Sequence, residues 1–213
     1  MNPAKVVYHE KQVRELCALH ALNNLFQEKG AFSKSELDSI CYNLSPENWI
    51  NPHKSVLGLG NYDVNVIMRA LQIRNYEMIW FDKRKDPSSI QLENVTGFIL
   101  NVPTDYKFSF ITIPLKRRHW IAVKLLNGLY YNLDSKLEHP VAIGNEEDLL
   151  NFLRTELDSQ DKELFVITTS DSAKLSSWLK QQSDYNNKIV DSSNRDAEEV
   201  LLCNINPRTA VGK

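Results

Sequence analysis

Cysteine is scarce in this 213-residue chain. Cys17, Cys41 and Cys203 are odd in number and widely spaced, with no Cys-x-x-Cys pair. That pattern argues against a disulfide framework and against a structural zinc site, and predicts a reduced, cytoplasmic protein. Charge of one sign is not in excess either. A net charge of −2 provides no electrostatic footprint for nucleic acid, and the basic run Lys116-Arg117-Arg118 reads as a solvated edge. No stretch approaches the roughly 18 apolar residues of a membrane-spanning helix. The opening residues Met1–Tyr8 lack the apolar run of a signal peptide. No internal repeat is visible.

What remains is an ordinary globular composition, 42% hydrophobic and 24% charged, long enough for one domain with a tail. Leu19, Leu22, Leu25 and Phe26 recur at helical spacing from about Leu16. Ser33, three residues before Glu36, forms a capping-box pattern ahead of the stripe Leu37, Ile40, Cys41 and Leu44. Cys41 is therefore expected in the core. Residues 45–62 read as a long irregular loop bearing Trp49 and His53, after which Asp63 caps a third helix.

Past Asn75 the pattern turns to strands: 78–81, 97–100, 108–113, 120–123, 129–132 and 164–168 are short and apolar. Asn145, followed by three acidic residues, opens another helix. Leu175, Trp178 and Leu179 suggest a last short one, and 183–199 is too polar to fold alone. The expected class is α+β, with helices in front of a mainly antiparallel sheet. Residues 1–180 would form the domain and 181–213 a flexible tail.

Chemistry concentrates at Cys17, at the mouth of the first helix, where unpaired N–H groups and the helix dipole favour a thiolate. Asn127-Gly128 between two apolar runs is a strong hairpin signal. With those two residues as the turn, Leu126 faces Leu129 and Ile121 faces Asp134. His119, two residues from Ile121, becomes a diagonal neighbour of Asp134 on the same face. A one-residue slip would separate them. Thiol, imidazole and carboxylate, with Gln12 as a polar amide ahead of the helix, are the parts of a cysteine acyl-transfer site. The backbone N–H of Cys17 and the side chain of Gln12 would receive the oxyanion. On residues alone, a structural Cys17 and a catalytic one stay as even alternatives. His20, three residues after Cys17, competes as base, although its apolar neighbours favour packing or hydrogen bonding. His9 and His139 have no evident partner.

Together Tyr8-His-Glu-Lys-Gln12, Leu16-Cys-Ala-Leu-His20-Ala-Leu-Asn-Asn-Leu25, His119-Trp120 and Tyr131-Asn-Leu-Asp-Ser135 resemble the Josephin domain. The likeness spans about residues 6–180 and is greatest to short, single-domain Josephin proteins. It implies a papain-like cysteine protease fold, with an N-terminal helical subdomain on the sheet. It further implies a thiol-dependent deubiquitinase hydrolysing the bond after ubiquitin's C-terminal glycine. Cys17 would be nucleophile, His119 base and acid, Asp134 its orienting group and Gln12 an oxyanion donor. Longer family members typically carry Asn where Asp134 stands. The partners implied are ubiquitin and ubiquitinated proteins, bound by a monomer that needs no metal or other cofactor. Trp49, His53 and Trp120 are expected substrate contacts, and the 45–61 loop an expected lid. The alternatives are a ubiquitin-binding adaptor with very slow or regulated turnover, and a cysteine hydrolase for another substrate.

Overall fold

In a computed structural model, residues 6–13, 15–46, 53, 61–108 and 111–181 are described, with the backbone alone at 105–108 and 111–117. The chain divides into two compact units, Met1–Trp178 and Leu179–Lys213. Of the second unit only residues 179–181 are described, so the expected tail falls almost wholly outside. Trp49, Cys203 and most of the 45–61 loop lie outside as well.

Three helices come first: α1 (Cys17–Phe26), α2 (Lys34–Leu44) and α3 (Val64–Ile73). The capping box of α2 is complete, since Ser33 Oγ accepts from the Glu36 N–H and Glu36 accepts from the Ser33 N–H. The Val66 N–H likewise donates to the Asp63 side chain at the start of α3. Leu37, Ile40 and Cys41 are buried as expected, but Leu44 is exposed in the last turn of α2.

The strands are β1 (Tyr76–Trp80), β2 (Gly97–Phe108), β3 (Ile111–Leu126), β4 (Leu129–Asn132), β5 (Val141–Gly144) and β6 (Glu163–Thr169). They form a sheet of order β1-β6-β2-β3-β4-β5, antiparallel at every pairing. Two expectations need correction here. The stretch 108–113 is not a strand of its own; its ends belong to β2 and β3, arms of one long hairpin with a bulge between Thr104 and Tyr106. The polar run 116–118 breaks the apolar pattern, yet the strand continues through it: Arg117 and Arg118 still pair with Thr104 and Pro103, and the register shifts only beyond them. The short β5 also has too few buried side chains to announce itself.

Both faces of the sheet are covered, which explains its continuous apolar runs. Ile99, Trp120, Ala122, Phe165 and Ile167 join one core with α1, α2 and α3. The alternate residues Phe98, Leu100, Ile121, Val123, Leu164 and Val166 join a second with Leu149 and Leu153 of α4 (Glu146–Leu157). Helices thus lie behind the sheet as well as in front. The last helix, α5 (Ser170–Lys174), precedes its expected position: Leu175 caps it at 79% exposure, while Trp178 packs on the second core.

Gly97 allows α1 to sit close to the sheet. A Cβ there would stand 2.6 Å from Leu25 Cδ1 and 2.8 Å from the Val123 carbonyl oxygen. Because one obstacle is the backbone of a neighbouring strand, Gly97→Ala should lower stability by about 1–3 kcal/mol, the usual cost of overpacking. Denaturant unfolding checks this, and an unchanged midpoint would mean that α1 and β3 can separate freely.

Candidate active site

The hairpin arithmetic decides where His119 and Asp134 meet. Asn127 and Gly128 both take positive φ, 51° and 85°, as a two-residue type I′ turn requires. The register runs Leu126↔Leu129, Leu125↔Tyr130, Lys124↔Tyr131 and Val123↔Asn132. Just beyond β4, the Leu133 N–H donates to the Ala122 carbonyl at 2.8 Å, carrying the same pairing one step further. His119 Nε2 and Asp134 Oδ1 then lie 2.6 Å apart. The acceptor is a carboxylate, so Nε2–H donates and Nδ1 is left for the thiol side.

Asp134 is itself held. Its Oδ1 accepts from the Lys136 N–H at 2.9 Å, and its own N–H donates to Asn132 Oδ1 at 2.9 Å. Its backbone carbonyl accepts from His9 Nε2 at 2.9 Å. Cys17 is the first residue of α1, where Leu16 provides no side-chain cap to the first-turn N–H groups. The thiol, 5% exposed, lies within interaction range of His119, which is 3% exposed. Cys17 and His119 are thus buried, and His119 joins them to Asp134, whose side chain is 16% exposed.

Its electrostatics are opposed and resolved in one direction. Burial pulls the His119 pKa down, but hydrogen bonds to Asp134 and Cys17, with their charges, outweigh it and leave the pKa above the ordinary value. Burial pushes Asp134 up, yet its hydrogen bond with His119 and that imidazolium's charge hold it below the usual carboxylate range. The two shifts agree: the surroundings favour an ionised pair.

Gln12 is seated beside this chain. Its N–H donates to the Ser135 carbonyl at 2.6 Å, and its Oε1 lies 3.5 Å from Ser135 Oγ. Three expected substrate contacts fare differently. Trp120 is 2% exposed and donates its indole N–H to the Tyr62 carbonyl at 3.0 Å, so it is a core residue and not a surface contact. Its apolar bulk wins a place in the α1-facing core, with one hydrogen bond satisfying the N–H. His53 pairs its Nδ1 with Asp63 Oδ2 at 2.8 Å. Trp49 lies outside the described residues.

Residues to which sequence alone gave no role complete the site. Asn24 Nδ2 bridges the carbonyls of Glu10 (3.2 Å) and Leu133 (3.0 Å), tying the N-terminal segment to the strand end that carries Asp134. His9 and Ser135 act across the same junction. Their place in the same motifs as Gln12 and Asp134 is the signal that could have singled them out. Cys41 is buried as expected, with Sγ 3.9 Å from the His53 carbonyl. Among the described residues no group of three or more His, Cys, Asp and Glu side chains is placed to hold a metal ion. No described helix is long and apolar enough to cross a membrane.

A sequence model of the Josephin family matches residues 12–168. A Josephin-like protein of Drosophila melanogaster is 56% identical over 162 residues, covering 76% of this chain and 73% of that protein. Human Josephin-2 is 45% identical over 174 residues, covering 82% of this chain and 92% of its own length. Human ataxin-3 is 29% identical over 184 residues, which cover 76% of this chain and 45% of ataxin-3. With the buried residues of both cores and the residues Gln12, Cys17, His119 and Asp134 inside the matched span, the chain belongs to the Josephin family and has its α+β, papain-like fold.

Proposed function

We propose that this protein is a cysteine-type deubiquitinase, cleaving the bond after the C-terminal glycine of ubiquitin, most often an isopeptide to lysine. The observation that carries the reading is the His119–Asp134 hydrogen bond, with the buried Cys17 thiol coupled to His119, in a member of the Josephin family. Ubiquitin and ubiquitinated proteins are the partners that follow from it.

The geometry supports the following chemistry. His119 Nδ1 takes the Cys17 proton, and the thiolate attacks the glycine carbonyl carbon to give a tetrahedral oxyanion. The N–H of Cys17 and the side-chain amide of Gln12 receive that charge. As the intermediate collapses, the C–N bond breaks, His119 returns its proton to the leaving amine, and a thioester remains. Water, deprotonated by His119, adds to the thioester and expels the Cys17 thiolate, freeing ubiquitin's carboxylate. Throughout, Asp134 holds the imidazole by Nε2 and stabilises its charged form.

Ubiquitin bearing a thiol-reactive C-terminal electrophile tests this reading. Intact mass should show one adduct on the wild type and none on Cys17→Ala, and wild-type protein should release lysine from an isopeptide-linked substrate. His119→Ala should slow that turnover by about 10²–10⁴-fold, the usual contribution of a positioned acid–base. A folded wild type that takes no adduct would instead favour an adaptor or a hydrolase for another substrate.

The raised pKa of His119 gives a prediction with a sign. The imidazolium that the mechanism uses is lost as pH rises through the His119 pKa. Asp134→Asn keeps an acceptor for Nε2–H but removes the negative charge. The alkaline limb of kcat/KM should therefore move to lower pH. An unmoved limb would mean that Asp134 acts through orientation alone.

A further inference from the structure

Outside the chain of reacting groups lies a second buried imidazole, that of His20 in the first turns of α1. Its two nitrogens are engaged in opposite senses. Nδ1 stands 2.7 Å from Glu10 Oε2, and Nε2 stands 3.2 Å from the backbone nitrogen of Val13. A backbone N–H can only donate, so Nε2 accepts, and Nδ1 carries the proton that Glu10 receives. Glu10 fixes that tautomer. Its carboxylate also accepts from Tyr8 Oη at 2.5 Å and from Asn23 Nδ2 at 3.1 and 3.2 Å. Burial would push the Glu10 pKa up, but the hydrogen bonds from Tyr8, His20 and Asn23 hold it below its ordinary value.

The consequence falls on Gln12. Its own N–H is bound to the Ser135 carbonyl, and the next N–H along the chain, that of Val13, is bound to His20. The peptide planes on both sides of the Gln12 Cα are therefore pinned, one to the strand end that bears Asp134 and one to the helix that bears Cys17. We infer that His20 is a positioning residue for the oxyanion donor: by accepting from the Val13 N–H, it sets the plane of the Gln12–Val13 peptide and so the aim of the Gln12 side chain. This rests on the reading of Gln12 given above. It also accounts for a neutral-tautomer imidazole among the apolar residues of α1, since an aliphatic side chain would leave the Val13 N–H without that acceptor and Glu10 without that donor.

Two substitutions separate the halves of the imidazole in the full-length chain. In His20→Gln the longer amide reaches the position of Nε2 and keeps an acceptor for Val13. In His20→Asn the shorter amide keeps a donor for Glu10 and falls short of Val13. With an isopeptide-linked ubiquitin substrate, His20→Asn should lower kcat by about 10-fold or more, a part of the 10²–10³ lost when an oxyanion donor is deleted. KM should stay within about twofold. His20→Gln should keep kcat within about threefold of wild type. Alkylation of Cys17 by iodoacetamide forms no oxyanion, so its rate should be unchanged in both. Combining His20→Asn with Gln12→Ala should cost little more than Gln12→Ala alone, because both act on one group.

Equal loss in the two His20 variants, loss of alkylation in step with kcat, or full additivity with Gln12→Ala would overturn the inference. If both variants prove unstable, Val13→Pro removes the donor and leaves His20 in place. The same kcat loss with unchanged alkylation then supports the assignment, and wild-type kcat refutes it. Should Gln12→Ala itself retain full turnover, it is the oxyanion reading that fails, and a wild type inert to ubiquitin substrates refutes the deubiquitinase reading instead.

Discussion

The register of β3 against β4 governs everything this site does. A strand presents alternate side chains to opposite faces, so the pairing either brings an imidazole and a carboxylate fifteen residues apart together or keeps the sheet between them. Positive φ at Asn127 and Gly128 selects the tight turn, the turn selects Leu126↔Leu129, and that pairing carries His119 to within 2.6 Å of Asp134. Burial then amplifies the contact. Hydrogen bonding and attraction between imidazolium and carboxylate exceed the desolvation cost of each, and both pKa values move towards the charged forms.

A second constraint adds to the first. The segment from Tyr8 to Val13 lies between α1 and the end of β4 and is bonded to both. Asn24 joins Glu10 to Leu133, His9 reaches the Asp134 carbonyl, Ser135 takes the Gln12 N–H, and His20 takes that of Val13. Helix and sheet thereby share one strap of backbone that bears Gln12. Such a strap keeps groups from three separate parts of the chain in one arrangement before any substrate arrives, the preorganisation on which transition-state stabilisation depends.

The two-sided sheet provides the rigidity for both constraints. On one face α1 packs against Trp120 and Ala122, with Gly97 removing the bulk that would hold it away. On the other, α4 covers Ile121 and Val123, so β3 is gripped from both sides next to His119. Trp120 illustrates what such packing decides. Read from its neighbour His119 it is a candidate substrate contact, yet the core claims its ring and Tyr62 its N–H.

Local chemistry determined much of this protein unaided. Capping residues and apolar periodicity placed α1, α2, α3 and α4, and Asn-Gly dictated the hairpin and hence the meeting of His119 with Asp134. These rules act over a few residues, so they are legible without knowledge of the rest of the chain. Long-range balance lay beyond them. The long β2–β3 hairpin crosses a polar run that the apolar pattern treats as a break, and β5 is too short and exposed to show a pattern. Trp120 found its partner, the Tyr62 carbonyl, only when distant segments packed. The partners of His9, His20 and Asn24 are likewise absent from the linear text. Each is a buried polar group whose hydrogen bonds must be satisfied by whatever the fold brings near, and only the tertiary structure decides what that is.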